Sequence, residues 1–102
     1  MNILVVFEFP SDGPFGADAT EGYRGLAEDI SQEKDLIWKV WTEDEARKVA
    51  GGVYLFTSDE AADVYIEKHT ARLSGFGISD ISAVKYQVND ELSAIDHAKL
   101  TR

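Results

Sequence analysis

His69 is the side chain best placed to move a proton near neutral pH, since imidazole is the only group whose unperturbed titration falls there. Tyr65 precedes it by four residues and Arg72 follows by three, spacings that put all three on one face of a helix. A neutral imidazole can take a proton from a phenolic substrate. The plainer alternative is a core histidine satisfied by a hydrogen bond, or one at a subunit seam. A second group is aromatic: Trp38, Trp41, Tyr54 and Phe56 crowd the stretch Leu36 to Phe56, and with Tyr65 and Phe15 they can wall a pocket for a flat aromatic molecule. The competing use for one Trp is to pack in a dimer core, and Trp41 is the one assigned to the pocket. The catalytic candidates are therefore His69 and Trp41, and the lining candidates Trp38, Tyr54, Phe56, Tyr65, Arg72 and Phe15. Lys39 shares a strand face with Trp41 and either neutralises an anionic substrate or, more commonly for such a residue, snorkels to the surface. Glu8, on an apolar strand, is a paired structural acid, an edge residue or a pocket base, in that order.

Other chemistries lack their residues. There is no cysteine, hence no disulfide, thiolate nucleophile or thiolate metal site, which fits a reducing cytoplasm. His69 and His97 are far apart and no metal-ligand spacing exists, so no metal is expected. The Gly51-Gly52 pair lacks the Lys and following helix of a phosphate loop and is taken as a tight bend at a strand start. With 19 acidic against 10 basic residues and a net charge of −9, the summed field repels phosphates, so neither nucleic acid nor an anionic membrane is an expected partner. The apolar run Ile3 to Phe7 is too short for a signal core and lacks a basic lead.

The elements that must position these residues follow from the pattern. At 102 residues the chain is expected to be one domain, with a C-terminal tail from about residue 90. Asn2 to Phe9 makes a buried strand. After a loop rich in Pro and Gly, apolar residues at 19, 23, 26, 27 and 30 mark a helix from Ala17 to about Lys34. Two strands follow, near 36–43 and 50–57, and strict alternation puts Leu36, Trp38, Val40 and Thr42 on one side and Ile37, Lys39, Trp41 and Glu43 on the other. Thr57 with Glu60 forms a capping-box pattern opening a second helix, whose stripe Ala62, Tyr65, Ile66, His69 and Leu73 runs to a stop at Gly75. A last strand falls within 77–89, and Leu92 and Ile95 are expected to anchor the tail. Strand, helix, strand, strand, helix, strand is the ferredoxin-like α+β order, βαββαβ: a four-stranded antiparallel sheet with both helices on one face. Apolar residues on the uncovered face then predict a homodimer in which two sheets close a barrel-like core.

Four blocks in order, Gly13-Pro14-Phe15-Gly16, Trp38-Lys39-Val40-Trp41-Thr42-Glu43, Gly51-Gly52-Val53-Tyr54-Leu55-Phe56 and Glu67-Lys68-His69-Thr70-Ala71-Arg72-Leu73, resemble the YdhR-type mono-oxygenase family. The likeness ends near Asn89-Asp90-Glu91-Leu92-Ser93 and so covers nearly the whole chain. It implies a dimeric α+β barrel related to antibiotic-biosynthesis and quinol mono-oxygenases. It also implies a cytoplasmic oxidoreductase that needs no cofactor and oxidises a small phenolic, quinol or polycyclic compound, with His69 as base. The alternative carried beside it is a non-catalytic dimeric module that binds or senses a small aromatic ligand.

Overall fold

A computed structural model describes residues 1–102. The apolar run at the start forms β1 (Ile3–Pro10), and α1 (Gly16–Ile30), β2 (Leu36–Asp44), β3 (Val49–Phe56), α2 (Asp59–Gly75), β4 (Ser82–Gln87) and a short α3 (Asp90–Ile95) follow. All strand neighbours are antiparallel, in the order β2-β3-β1-β4, which is the ferredoxin-like arrangement expected from the element order. The register Ile3 opposite Phe56, Val5 opposite Tyr54 and Phe7 opposite Gly52 aligns one set of side chains under the helices. With Leu36, Ile30, Ala62, Tyr65 and Leu73 they form the buried core.

The two helices meet the sheet differently. α2 buries Ala62, Tyr65, His69 and Leu73, a stripe at spacings of three and four. Its N-cap is Ser58, whose hydroxyl accepts from the Ala61 amide at 3.1 Å; Thr57, the expected cap, instead donates its hydroxyl to Asp35. α1 stops at Ile30, four residues before the expected end, and Ile30 is its one fully buried residue. Its N-terminal half therefore leaves space above the sheet.

β2 departs from strict alternation. The pairing slips between Leu36 and Trp38, and a bulge of this kind moves every later side chain to the opposite face. Leu36, Lys39 and Trp41 consequently share the helix side, opposite Phe56, Tyr54 and Gly52, while Trp38 and Val40 pair with Leu55 and Val53 on the outer side. The Gly pair is not a bend either: both glycines lie inside β3, and the turn is at Glu45–Lys48. A Cβ on Gly51 would fall 1.9 Å from the carbonyl oxygen of Phe7, so only glycine lets β1 and β3 approach this closely.

The tail is held by backbone carbonyls rather than by apolar anchors. Trp38 Nε1 donates to Lys99 at 2.8 Å, Asn2 Nδ2 to Leu100 at 3.1 Å, and Arg102 to the carbonyls of Ser31, Glu33 and Lys34. Leu92 and Ile95, expected as anchors, are 62% and 72% exposed.

Candidate functional site

The space under α1 is a cavity of about 720 Å³, roofed by Ala19, Tyr23 and Leu26, floored by Lys39, Trp41, Gly51 and Tyr54, and closed at one end by His69 and Leu73 of α2. The loop Pro10–Pro14 and the segment Phe76–Ser79 form its rim. Its size and its mixed walls, aromatic rings at Phe9, Tyr23, Trp41 and Tyr54 beside polar groups such as Lys39, Glu43 and His69, suit a small ring compound that carries a polar substituent.

His69 is 3% exposed and stacks on Tyr65 with centroids 5.1 Å apart, its edges meeting Phe7 and Tyr54. Its Nδ1 accepts from Arg72 Nε at 3.3 Å and Nη2 at 3.0 Å. A guanidinium can only donate, so the imidazole is neutral with its proton on Nε2. Burial first, then the charges of Lys39, Arg72 and Lys68, lower its pKa to about 3. This geometry argues against the base role expected of His69, because the lone pair a base needs is already taken. Towards a ligand it offers an N–H donor. Arg72 is itself fixed by Asp29 on α1, Nη1 to Oδ2 2.7 Å, so Asp29, Arg72 and His69 form a chain tying the two helices together.

Trp41 stands at the mouth of the cavity, stacked on Tyr23 with centroids 5.9 Å apart and ring planes 21° from parallel. Tyr54 lies in the floor, and burial pushes its phenol well above the usual range. Burial does the same to Tyr65, so both phenols are neutral, and the Tyr65 hydroxyl is buried without a partner. Of the expected site residues, His69, Trp41 and Tyr54 line the cavity together. Phe56 and Tyr65 stand behind them in the core and Arg72 behind His69. Trp38 points to the opposite face of the sheet, and Phe15 packs beside Gly13 next to the rim. Glu8 is exposed on the outer face, away from the cavity. No three His, Asp or Glu side chains come together in a metal-holding group.

Lys39, for which the sequence left two readings, partner of an anionic substrate or a snorkel to the surface, lines the cavity. Its Nζ lies 3.4 Å from the Trp41 ring centroid and 4.7 Å from that of Tyr54. It can lie flat because Gly52 is beneath it: a Cβ there would be 2.7 Å from Lys39 Cε. Lys39 and Trp41 two apart, with a glycine opposite Trp41, was the available signal.

A four-stranded antiparallel sheet with two helices on one face, and an aromatic cavity between helix and sheet, defines a ferredoxin-like α+β protein. The sequence profile of the family described as "Putative mono-oxygenase ydhR" matches residues 4–99, and the chain belongs to that family. In fold it is similar to a crystal structure from Deinococcus radiodurans titled as a "putative antibiotic biosynthesis monooxygenase", with a TM-score of 0.55, 14% identity, and coverage of 87% of this chain and 93% of that one. No curated protein is significantly similar in sequence. No helix is long and apolar enough to cross a membrane.

Proposed function

We propose that this protein is a cofactor-independent mono-oxygenase acting on a small phenolic, quinol or polycyclic aromatic compound. The observation that carries the reading is the aromatic cavity under α1, in which Trp41 and Tyr54 orient a ring while the His69 Nε2–H stands at the closed end. Family membership supports the reaction type. In the reaction a ring C–H of a phenol becomes a quinone carbonyl: one atom of dioxygen stays on carbon, and the other leaves as water with that hydrogen and the hydroxyl hydrogen. The walls exclude water and hold the ionised ring where dioxygen can reach it.

Oxygen uptake with hydroquinone and anthrone tests the reading. Consumption above the protein-free rate is expected with at least one of them, and Trp41→Ala should lower it roughly ten- to hundredfold by loosening the ring. The rival reading, a binding module without turnover, draws on the occupied lone pair of His69. Quenching of Trp fluorescence by these compounds with no uptake from any of them would favour it.

The working unit we propose is a homodimer joined sheet to sheet. On the outer face Val40 and Tyr86 are each 54% exposed and Val84 42%, beside Val6 and Val53. A contiguous apolar patch of this kind on a soluble domain marks an interface. Light scattering should give twice the chain mass at micromolar concentration, and Val40→Asp should halve it, since an unpaired carboxylate at the centre of a dry interface costs several kcal/mol, on the order of 3–5. A wild-type monomer would remove the dimer.

A further inference from the structure

The reaction proposed above starts with removal of a hydroxyl proton, and no imidazole lone pair is free to accept it. The acids at the cavity are no better placed: Glu43 is engaged by the Gly16 amide at 2.7 Å, and Asp12 faces Lys48 at the rim. Lys39 is different. It lies on the floor between two ring faces and takes part in none of the protein's ion pairs or side-chain hydrogen bonds. The other cation on its side, Arg72, is spent on Asp29 and His69. The cavity thus holds one amine with no protein partner, in a chain that otherwise carries a large excess of acids.

We propose that Lys39 is the proton acceptor and oxyanion partner of the substrate: its ε-amine takes the hydroxyl proton of a bound phenol or enol and, as an ammonium, pairs with the oxygen left behind. The net charge is unchanged in the step, since a neutral pair becomes an ion pair whose opposite charges are in contact. Ring faces suit both states, tolerating the amine and favouring the ammonium. Burial, and after it the Arg72 guanidinium, lower the pKa of Lys39 to about 7, so the free-base form is accessible at neutral pH. The titratable and charged groups lining this space are Tyr23 of α1, Glu43 of β2, Tyr54 of β3, His69 of α2 with Arg72 behind it, and Asp12 and Lys48 of the neighbouring loops. Of the two acids, Glu43 accepts from the Gly16 amide and Asp12 faces Lys48, and neither pairs with Lys39. A substrate oxyanion is the missing counter-charge. The inference rests on the cavity being the aromatic-substrate site, and it narrows the substrate to compounds with an ionisable hydroxyl on or conjugated to the ring.

The test uses 4-nitrophenol, whose phenolate has its own visible absorption, and 4-nitroanisole, its methyl ether, with the intact protein and with Lys39→Met and Lys39→Arg. Bound to wild type, 4-nitrophenol should ionise at least about tenfold more readily than when free, the effect of an opposite charge within contact distance. Lys39→Met should lose that shift while binding 4-nitroanisole as wild type does. Lys39→Arg keeps the cation but cannot accept a proton, so it should retain the spectral shift and lose oxygen uptake. An unchanged shift in Lys39→Met with normal 4-nitroanisole binding would overturn the role of Lys39 and leave the cavity reading standing. Failure of wild type to bind either compound would overturn both. Equal 4-nitroanisole binding also shows that the Met variant is folded.

Discussion

Gly51→Ala is expected to destabilise the fold by about 3 kcal/mol or more, the upper end of the range for overpacking. The added methyl would sit 1.9 Å from the Phe7 carbonyl oxygen and 3.0 Å from Glu8 Cα. Backbone on both sides of the clash is fixed by ladder pairing, with Glu8 opposite Gly51 inside the β1–β3 register, flanked by Phe7 opposite Gly52 and Phe9 opposite Ala50. Neither strand can yield without breaking hydrogen bonds of the central pair. Gly52→Ala is the milder comparison: its methyl would meet the far end of the flexible Lys39 side chain at 2.7 Å, which can swing aside, and the Tyr54 ring and Val40 carbonyl oxygen at 3.1 and 3.3 Å, which need shift by only a few tenths of an ångström. Urea unfolding should show Gly51→Ala as much the less stable of the two. Equal stabilities would mean that the two central strands are not drawn together as described.

His69→Gln is expected to change how stability depends on acid. In the folded protein the His69 pKa is lowered to about 3, first by burial and then by Lys39, Arg72 and Lys68, whereas in the unfolded chain it titrates near 6.5. Above pH 6.5 neither state binds the proton and nothing is lost. Between about pH 6.5 and 3 the unfolded chain takes a proton that the folded one refuses, so wild-type stability falls as pH falls. From pH 7 to pH 4 this contribution should be on the order of 3 kcal/mol. The Gln variant, less stable at pH 7 for want of the stacked ring, should lose less on acidification, so the gap between the two narrows or reverses. A gap that stays constant over this range would show that His69 carries its proton in the fold, and would return it to the list of possible acids.

The two predictions draw on different depths of the sequence. Element order was legible because the hydrophobic period changes cleanly from two to 3.6 and back, and the α2 stripe placed His69 against the sheet correctly. What alternation cannot show is a slip. The bulge near Ile37 separated Leu36 from Trp38 and brought Lys39 and Trp41 onto the core side with Leu36, a change of face with no residue type to announce it. Lys39 was legible only as one of two readings, for a different reason. A lysine on a strand is ordinarily at the surface, and this one lies inside only because Gly52, on another strand, leaves room for it. The bond from Arg72 to Nδ1 that occupies the imidazole lone pair depends on Asp29 holding Arg72 from a second helix, a three-body arrangement that spacing along one helix does not contain. The tail is held by bonds to backbone carbonyls, its own at Lys99 and Leu100 and those of Ser31, Glu33 and Lys34 reached by Arg102, and carbonyls are present in every sequence.

The proposed dimer and the cavity would be linked through β2. Its outer residues Trp38 and Val40 face away from the helices, and its inner residues Lys39 and Trp41 form the cavity floor. A sheet-to-sheet partner would therefore press on the back of the strand that carries the reactive amine. Covering that face would stiffen the floor on which a substrate ring rests.

A crystal structure with 2-naphthol bound tests the central claim most directly. The naphthol ring should lie in the cavity beneath Tyr23, against Trp41 and Tyr54, with its oxygen within hydrogen-bonding distance of Lys39 Nζ. A ring found instead on the outer face of the sheet, with the space under α1 filled by protein side chains, would contradict it.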